Sequence, residues 1–122
     1  MAVMQSRDTR TFIAGEDLSS AQFKFVTLEA DGQVDLADAV GETCIGVLIN
    51  EPAAAQAATV VMSGKVMVTA GGTIAAGDAI ATDAAGDAVT ALTGNVIMGY
   101  ATEAGVDGQV IAIELIQGGN AA

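Results

Sequence analysis

The chain has 122 residues, one domain's worth, with 52% hydrophobic residues but only 3% aromatic. Four cations against fifteen acidic residues leave a net charge of −11. That balance excludes a phosphate-binding footprint, because Lys and Arg supply most non-specific nucleic-acid affinity, and it disfavours an anionic membrane surface.

Val (13) and Ile (9) outnumber Leu (6), and Ala (25) and Gly (15) are abundant. This β-leaning, small-residue composition excludes a coiled coil, and its apolar content argues against an acidic disordered tail. No apolar run approaches the ~18 residues of a membrane helix. The opening MAVMQSRDTR lacks the apolar centre of a secretory leader, so synthesis in the cytoplasm is expected.

Residues 1–19 read as an extended N-terminal arm, with a frayed terminus as the alternative. They hold two of the four cations, Arg7 and Arg10, followed by Phe12 and Ile13. A β body is expected over 20–117. Phe23 to Leu28 reads as a strand ending at the hairpin signal Asp31-Gly32, with Val34 and Leu36 alternating after it. Cys44 to Ile49 is a short buried strand whose Gly46 suggests close backbone approach. Glu51 to Ala58 is read as a loop, with one helical turn as the alternative. It has helix-forming alanines but no large apolar residue to dock a helix. Val60-Val61-Met62 and Lys65 to Val68 read as a tight hairpin turning at Ser63-Gly64.

Further strands are expected at Ala79 to Thr82 and Asp87 to Thr90 around Ala85-Gly86, then at Val96 to Thr102. In the closing strand, Gln109 to Ile116, residues Ile111, Ile113 and Leu115 share one face. Residues 118–122 read as a flexible tail. The expected class is all-β: a small β-sandwich or β-barrel of about nine to ten short strands. A weak internal repeat is visible. Leu28 to Gly32 resembles Thr82 to Gly86 at an offset of 54, and Ile45-Gly46-Val47 resembles Met98-Gly99-Tyr100 at an offset of 53. Chance matching in an Ala/Gly-rich chain explains this nearly as well.

Chemistry is poorly supplied. With no His and one Cys, neither a Ser-His or Cys-His nucleophile pair nor an internal disulfide can form. Cys44, in an apolar run, reads as a buried structural thiol. Asp78, Asp83 and Asp87 are spaced by five and four, unlike a calcium loop. They read as turn residues, with weak divalent-cation binding as the alternative. No phosphate-binding glycine motif is present, and one Tyr with no Trp argues against a sugar groove. The residues therefore point to a non-enzyme needing no metal or cofactor, in which a thin core favours oligomerisation. Met62, Met67 and Val68, around Ser63-Gly64, are the interface candidates.

The stretch Val60 to Val89, VVMSGKVMVTAGGTIAAGDAIATDAAGDAV, resembles the central signature of the small capsid decoration, or cement, proteins of tailed bacteriophages, formerly a domain of unknown function. The resemblance continues through Val96 to Ala101 and Gly108 to Leu115, and upstream through Ile45-Gly46-Val47, covering roughly residues 20–117. It implies a structural protein on the outside of an expanded head, bridging and stabilising major capsid subunits, often as a homotrimer. Arg7, Arg10, Phe12 and Ile13 would then be the arm's capsid contacts. Arg forks suit carboxylates, and the two apolar side chains suit a groove. A β-rich adhesion module of a surface or fibre is the alternative function.

Overall fold

The computed structural model describes residues 5–116, with side chains from residue 8 onward. These residues form nine β-strands and no helix, in one curled, half-barrel sheet. The strands are β1 (Gln5–Ile13), β2 (Phe25–Leu28), β3 (Val34–Leu36), β4 (Gly46–Leu48), β5 (Ala57–Thr69), β6 (Ala79–Thr82), β7 (Ala88–Thr90), β8 (Gly99–Ala101) and β9 (Val110–Leu115). The expected all-β class holds, and Glu51 to Gln56 is a loop. The tail at 118–122 lies outside the described residues.

Two local expectations change. Ser63-Gly64 is not a hairpin turn, because β5 runs through it as one 13-residue strand. Gly64 does take a left-handed φ of +100°, as a turn glycine would. Here, however, the conformation absorbs an irregularity beside β1, whose register slips between Ser6 and Thr9. The stretch expected as an arm is extended, but it lies along its own chain. β1 pairs antiparallel with β5, from Gln5 opposite Lys65 to Ile13 opposite Ala57.

The sheet consists of two copies of one unit. In unit 1, β2 pairs with β3 through Val26–Leu36, Thr27–Asp35 and Leu28–Val34. In unit 2, β6 pairs with β7 through Ile80–Thr90, Ala81–Val89 and Thr82–Ala88, each partner shifted by 54. The pairs Val47–Val61 and Leu48–Val60 recur as Tyr100–Glu114 and Ala101–Ile113, shifted by 53. The pairs Ile13–Ala57 and Phe12–Ala58 recur as Thr69–Val110 and Val68–Ile111. The long β5 is thus a fusion: its first half closes unit 1 and its second half opens unit 2. Each unit curls until the end of its first strand reaches its third by one parallel bridge, Ala14 to Val34 and Ala70 to Ala88.

The repeat extends to single backbone features. Gly46 and Gly99 occupy equivalent sites, where an added Cβ would run into the carbonyls of Val61 and Glu114 respectively. Ala55 donates its N–H to Ala14, as Gly108 does to Ala70, both at 2.8 Å. Both residues are left-handed, with φ of 68° and 86°. The two short matches visible in the sequence are therefore part of one continuous structural duplication.

Two cores follow. Val26, Val34, Leu48, Ala58 and Val60, with Ala14, Leu18 and Ala21, fill unit 1. The second core holds the matching unit 2 residues Ile80, Ala88, Ile111 and Ile113, with Val66 and Val68. It also takes in Phe25, Val47 and Val61 from the opposite sheet face of unit 1. Strand alternation explains this division, since Phe25 and Val26, or Val60 and Val61, point to opposite faces. Unit 1 therefore lies with one apolar face against the interior of unit 2.

Candidate functional site

The joint between the units shows what a covered unit looks like. Phe25 N–H donates to the Gly86 carbonyl at 2.8 Å, and Gly41 N–H to that of Thr82 at 2.9 Å. The Gly41 carbonyl in turn accepts from Val96 N–H at 3.0 Å. Lys24 Nζ sits 3.0 Å from Asp87 Oδ1, with both side chains mostly buried. The β6–β7 hairpin tip of unit 2 is thereby clamped onto the start of β2. Phe25, Val47 and Val61 cover the interior beside it.

Nothing among the described residues covers unit 1 in this way. Phe12, Ile45 and Met62 pack against the unit 1 core but stay half-buried. Their unit 2 counterparts Val68, Met98 and Leu115 are 0–3% exposed. Leu28 is 51% exposed, whereas its counterpart Thr82 is buried. Leu28 and Ile45, with Thr43 and Cys44, line an open depression of about 360 Å³. Half-buried Leu36 packs against the unit 1 core and reaches the joint, where a Cβ on Gly86 would run into its Cδ1.

This surface contains some of the residues picked from the sequence and leaves out others. Phe12 and Met62 belong to it. Arg10 stands two residues from Phe12 on the same face of β1, pairing at 3.4 Å with Asp8 in an exposed contact of little energetic weight. Ile13 points to the opposite face and is 44% exposed. The side chain of Arg7 lies outside the described part of the chain. Met67 is half-buried on the outer face of unit 2. Val68 is corrected: it is fully buried in the shared core, so it cannot line an interface. Its neighbour Met67 alternates outward instead. Sequence reasoning missed Leu28 and Ile45. Aligning the repeat would have flagged Leu28, an apolar residue where the other unit has Thr82.

The carboxylates are spread over both units. In unit 2 they serve turns: Asp83 Oδ1 accepts the N–H of Ala85 and Asp87, and Asp78 Oδ2 accepts Ala75 N–H and the Thr90 hydroxyl. Among the described residues no three His, Cys, Asp or Glu side chains are grouped to hold a metal. In unit 1 the carboxylates do the same at the tip of the β2–β3 hairpin, where Asp31 Oδ1 accepts Gln33 N–H and Glu29 Oε1 accepts the Thr27 hydroxyl. Burial, then Glu16, Glu29, Asp31 and Asp38, push the Asp35 carboxyl above its ordinary value. Burial, with Glu42 nearby, also pushes the Cys44 thiol up to about 12, which makes it inert as a nucleophile.

Comparison with known proteins adds one relation of fold. No protein-family model matches the chain, and no curated protein matches it. The crystal structure of the head fiber gp8.5 N base of bacteriophage phi29 is similar, with a TM-score of 0.72 and 21% sequence identity. The similarity covers 89% of this chain and 93% of that one, so the two share the whole fold.

Proposed function

We propose that the chain is a structural protein of a tailed-phage head: a decoration, or cement, protein bound to the outside of the expanded shell. There it bridges neighbouring major capsid subunits. The observation that carries the reading is the fold shared over 89% of this chain with a phage head fiber base. The decoration, or cement, role is the part that the resemblance over Val60 to Val89 adds to this reading. A ligand that binds only the assembled, expanded lattice stabilises that lattice by mass action, which needs surface and no catalytic group. The charge of −11 suits a protein that stays on the shell exterior, away from the packaged genome.

Self-association as a homotrimer is part of the proposal. Unit 2 offers a surface for it on its outer face. Met67 lies there with Tyr100 and Val110, which are 43% and 37% exposed. Purified protein mixed with expanded, undecorated heads should co-sediment saturably and raise the temperature at which the heads rupture. Light scattering on a sizing column should give three chains per particle. A chain that ignores heads but binds host cells or glycans is an adhesion module, and the reading fails.

A further inference from the structure

We propose that Gly15-Glu16 is a pH-sensitive strap on unit 1, closed over β3 while the Asp35 carboxyl keeps its proton and loosened when it gives it up. Two hydrogen bonds hold the strap. Gly15 N–H donates to the Val34 carbonyl at 2.8 Å, and Leu36 N–H donates to Glu16 Oε2 at 2.9 Å. Asp35 stands between those two β3 residues. A Cβ on Gly15 would run into its Oδ1, so the glycine backbone packs directly on the carboxyl. That Oδ1 is buried and accepts no hydrogen bond among the described residues.

An ionised carboxylate in that place is a buried charge without a partner. The charged groups that act on it are all acidic: Glu16 on the strap, Glu29 and Asp31 in the β2–β3 turn, and Asp38 after β3. Its neighbour on β2, Thr27, is uncharged. Protonated, Asp35 has an acceptor at hand, since Gln33 Oε1 flanks the same gap, 3.2 Å from where a Gly15 Cβ would stand. Ionisation therefore works against closure and protonation works for it. Ala14 does not move with the strap. Its N–H donates to the Gln56 carbonyl at 2.9 Å, and its carbonyl accepts Ala55 N–H at 2.8 Å. The loosening is a local opening hinged after Ala14.

Unit 2 supplies the contrast. Its matching bond, from Gly71 N–H to the Ala88 carbonyl, is also 2.8 Å long. Val89 stands in the place of Asp35, and Gly72 in that of Glu16. Asp83 approaches Gly71 instead, but its Oδ1 accepts the N–H of Ala85 at 2.8 Å and of Asp87 at 2.9 Å. That carboxylate has partners where Asp35 Oδ1 has none. The strap of unit 1 responds to pH, and its counterpart in unit 2 does not.

The test is amide hydrogen exchange of the full chain, followed by NMR between pH 3 and pH 7 and corrected for the intrinsic rate. The ratio of Gly15 to Gly71 protection should fall by about twofold or more as pH rises, with the Gly71 amide reporting any change common to the whole fold. A carboxyl titration by NMR should place Asp35 above the ordinary 3.8, and lower in Glu16→Gln than in the parent. In Asp35→Asn and in Asp35→Val the ratio should stay level across the range. A level ratio in the parent overturns the strap, as does a fall that survives in both Asp35 variants or an Asp35 carboxyl that titrates at or below 3.8. If neither variant folds, the two amides of the parent and its Asp35 titration decide alone.

Discussion

The two units have the same strand pairing and different surroundings. Unit 2 is covered: unit 1 lies against its interior, and the Lys24–Asp87 pair clamps its hairpin tip. In unit 1 the equivalent positions Phe12, Leu28, Ile45 and Met62 are more exposed than Val68, Thr82, Met98 and Leu115. The difference lies in a few side chains. Phe25, Val47 and Val61 of unit 1 face the joint, while Ala79, Tyr100 and Glu114 replace them on the outside of unit 2.

Breaking the joint should have the largest effect. Phe25 is fully buried between the units, so Phe25→Ala should cost about 4 kcal/mol in a denaturant titration. The same measurement on Tyr100→Ala, on the equivalent outer face, should change stability by less than about 1 kcal/mol. Equal losses would mean that Phe25 does not join two units.

The equivalence itself is sharpened by the paired glycines. Gly46→Ala and Gly99→Ala push a methyl group toward matching carbonyls, so each should lose about 3 kcal/mol. Thermal unfolding of the two variants should show shifts of similar size. A silent variant in one unit would mean that the register differs there.

A smaller effect of opposite sign is expected at Ala55, which holds a left-handed φ of 68° where unit 2 uses Gly108. Ala55→Gly should raise stability by about 0.5–1 kcal/mol, seen as an increase in Tm of a few degrees.

The smallest effect concerns charge. Asp35 in the folded chain holds its proton more tightly than the ordinary 3.8. Its contribution therefore favours folding below that value and is lost as pH rises through the raised one. Asp35→Asn should raise the denaturation midpoint at pH 7 and leave it nearly unchanged at pH 3. Stability curves across that range check both ends.

Much of this architecture was legible in the chain. The Asp31-Gly32 and Ala85-Gly86 turns, the strands around them, and the inward set Ile111, Ile113 and Leu115 follow from local turn chemistry and alternation. Ser63-Gly64 misled because a left-handed glycine serves a turn or a strand irregularity equally well. Long-range pairing of β5 with β1, β4 and β9 decides between them, and that pairing leaves no local mark. β1 read as an arm because its polar, charged sequence suits an edge strand as well as a tail. Alternation separated Met67 from Val68 only once the face of the shared core was known. The duplication surfaced as two short matches because Ala, Gly and Val interchange freely elsewhere, while the hydrogen-bond register kept the rest.

The most direct test of the central claim is a cryo-electron map of the parent virion at a resolution that separates the two units. The account predicts density on the outer shell at regular lattice positions. A virion lacking the chain on the outer surface of its head would contradict it.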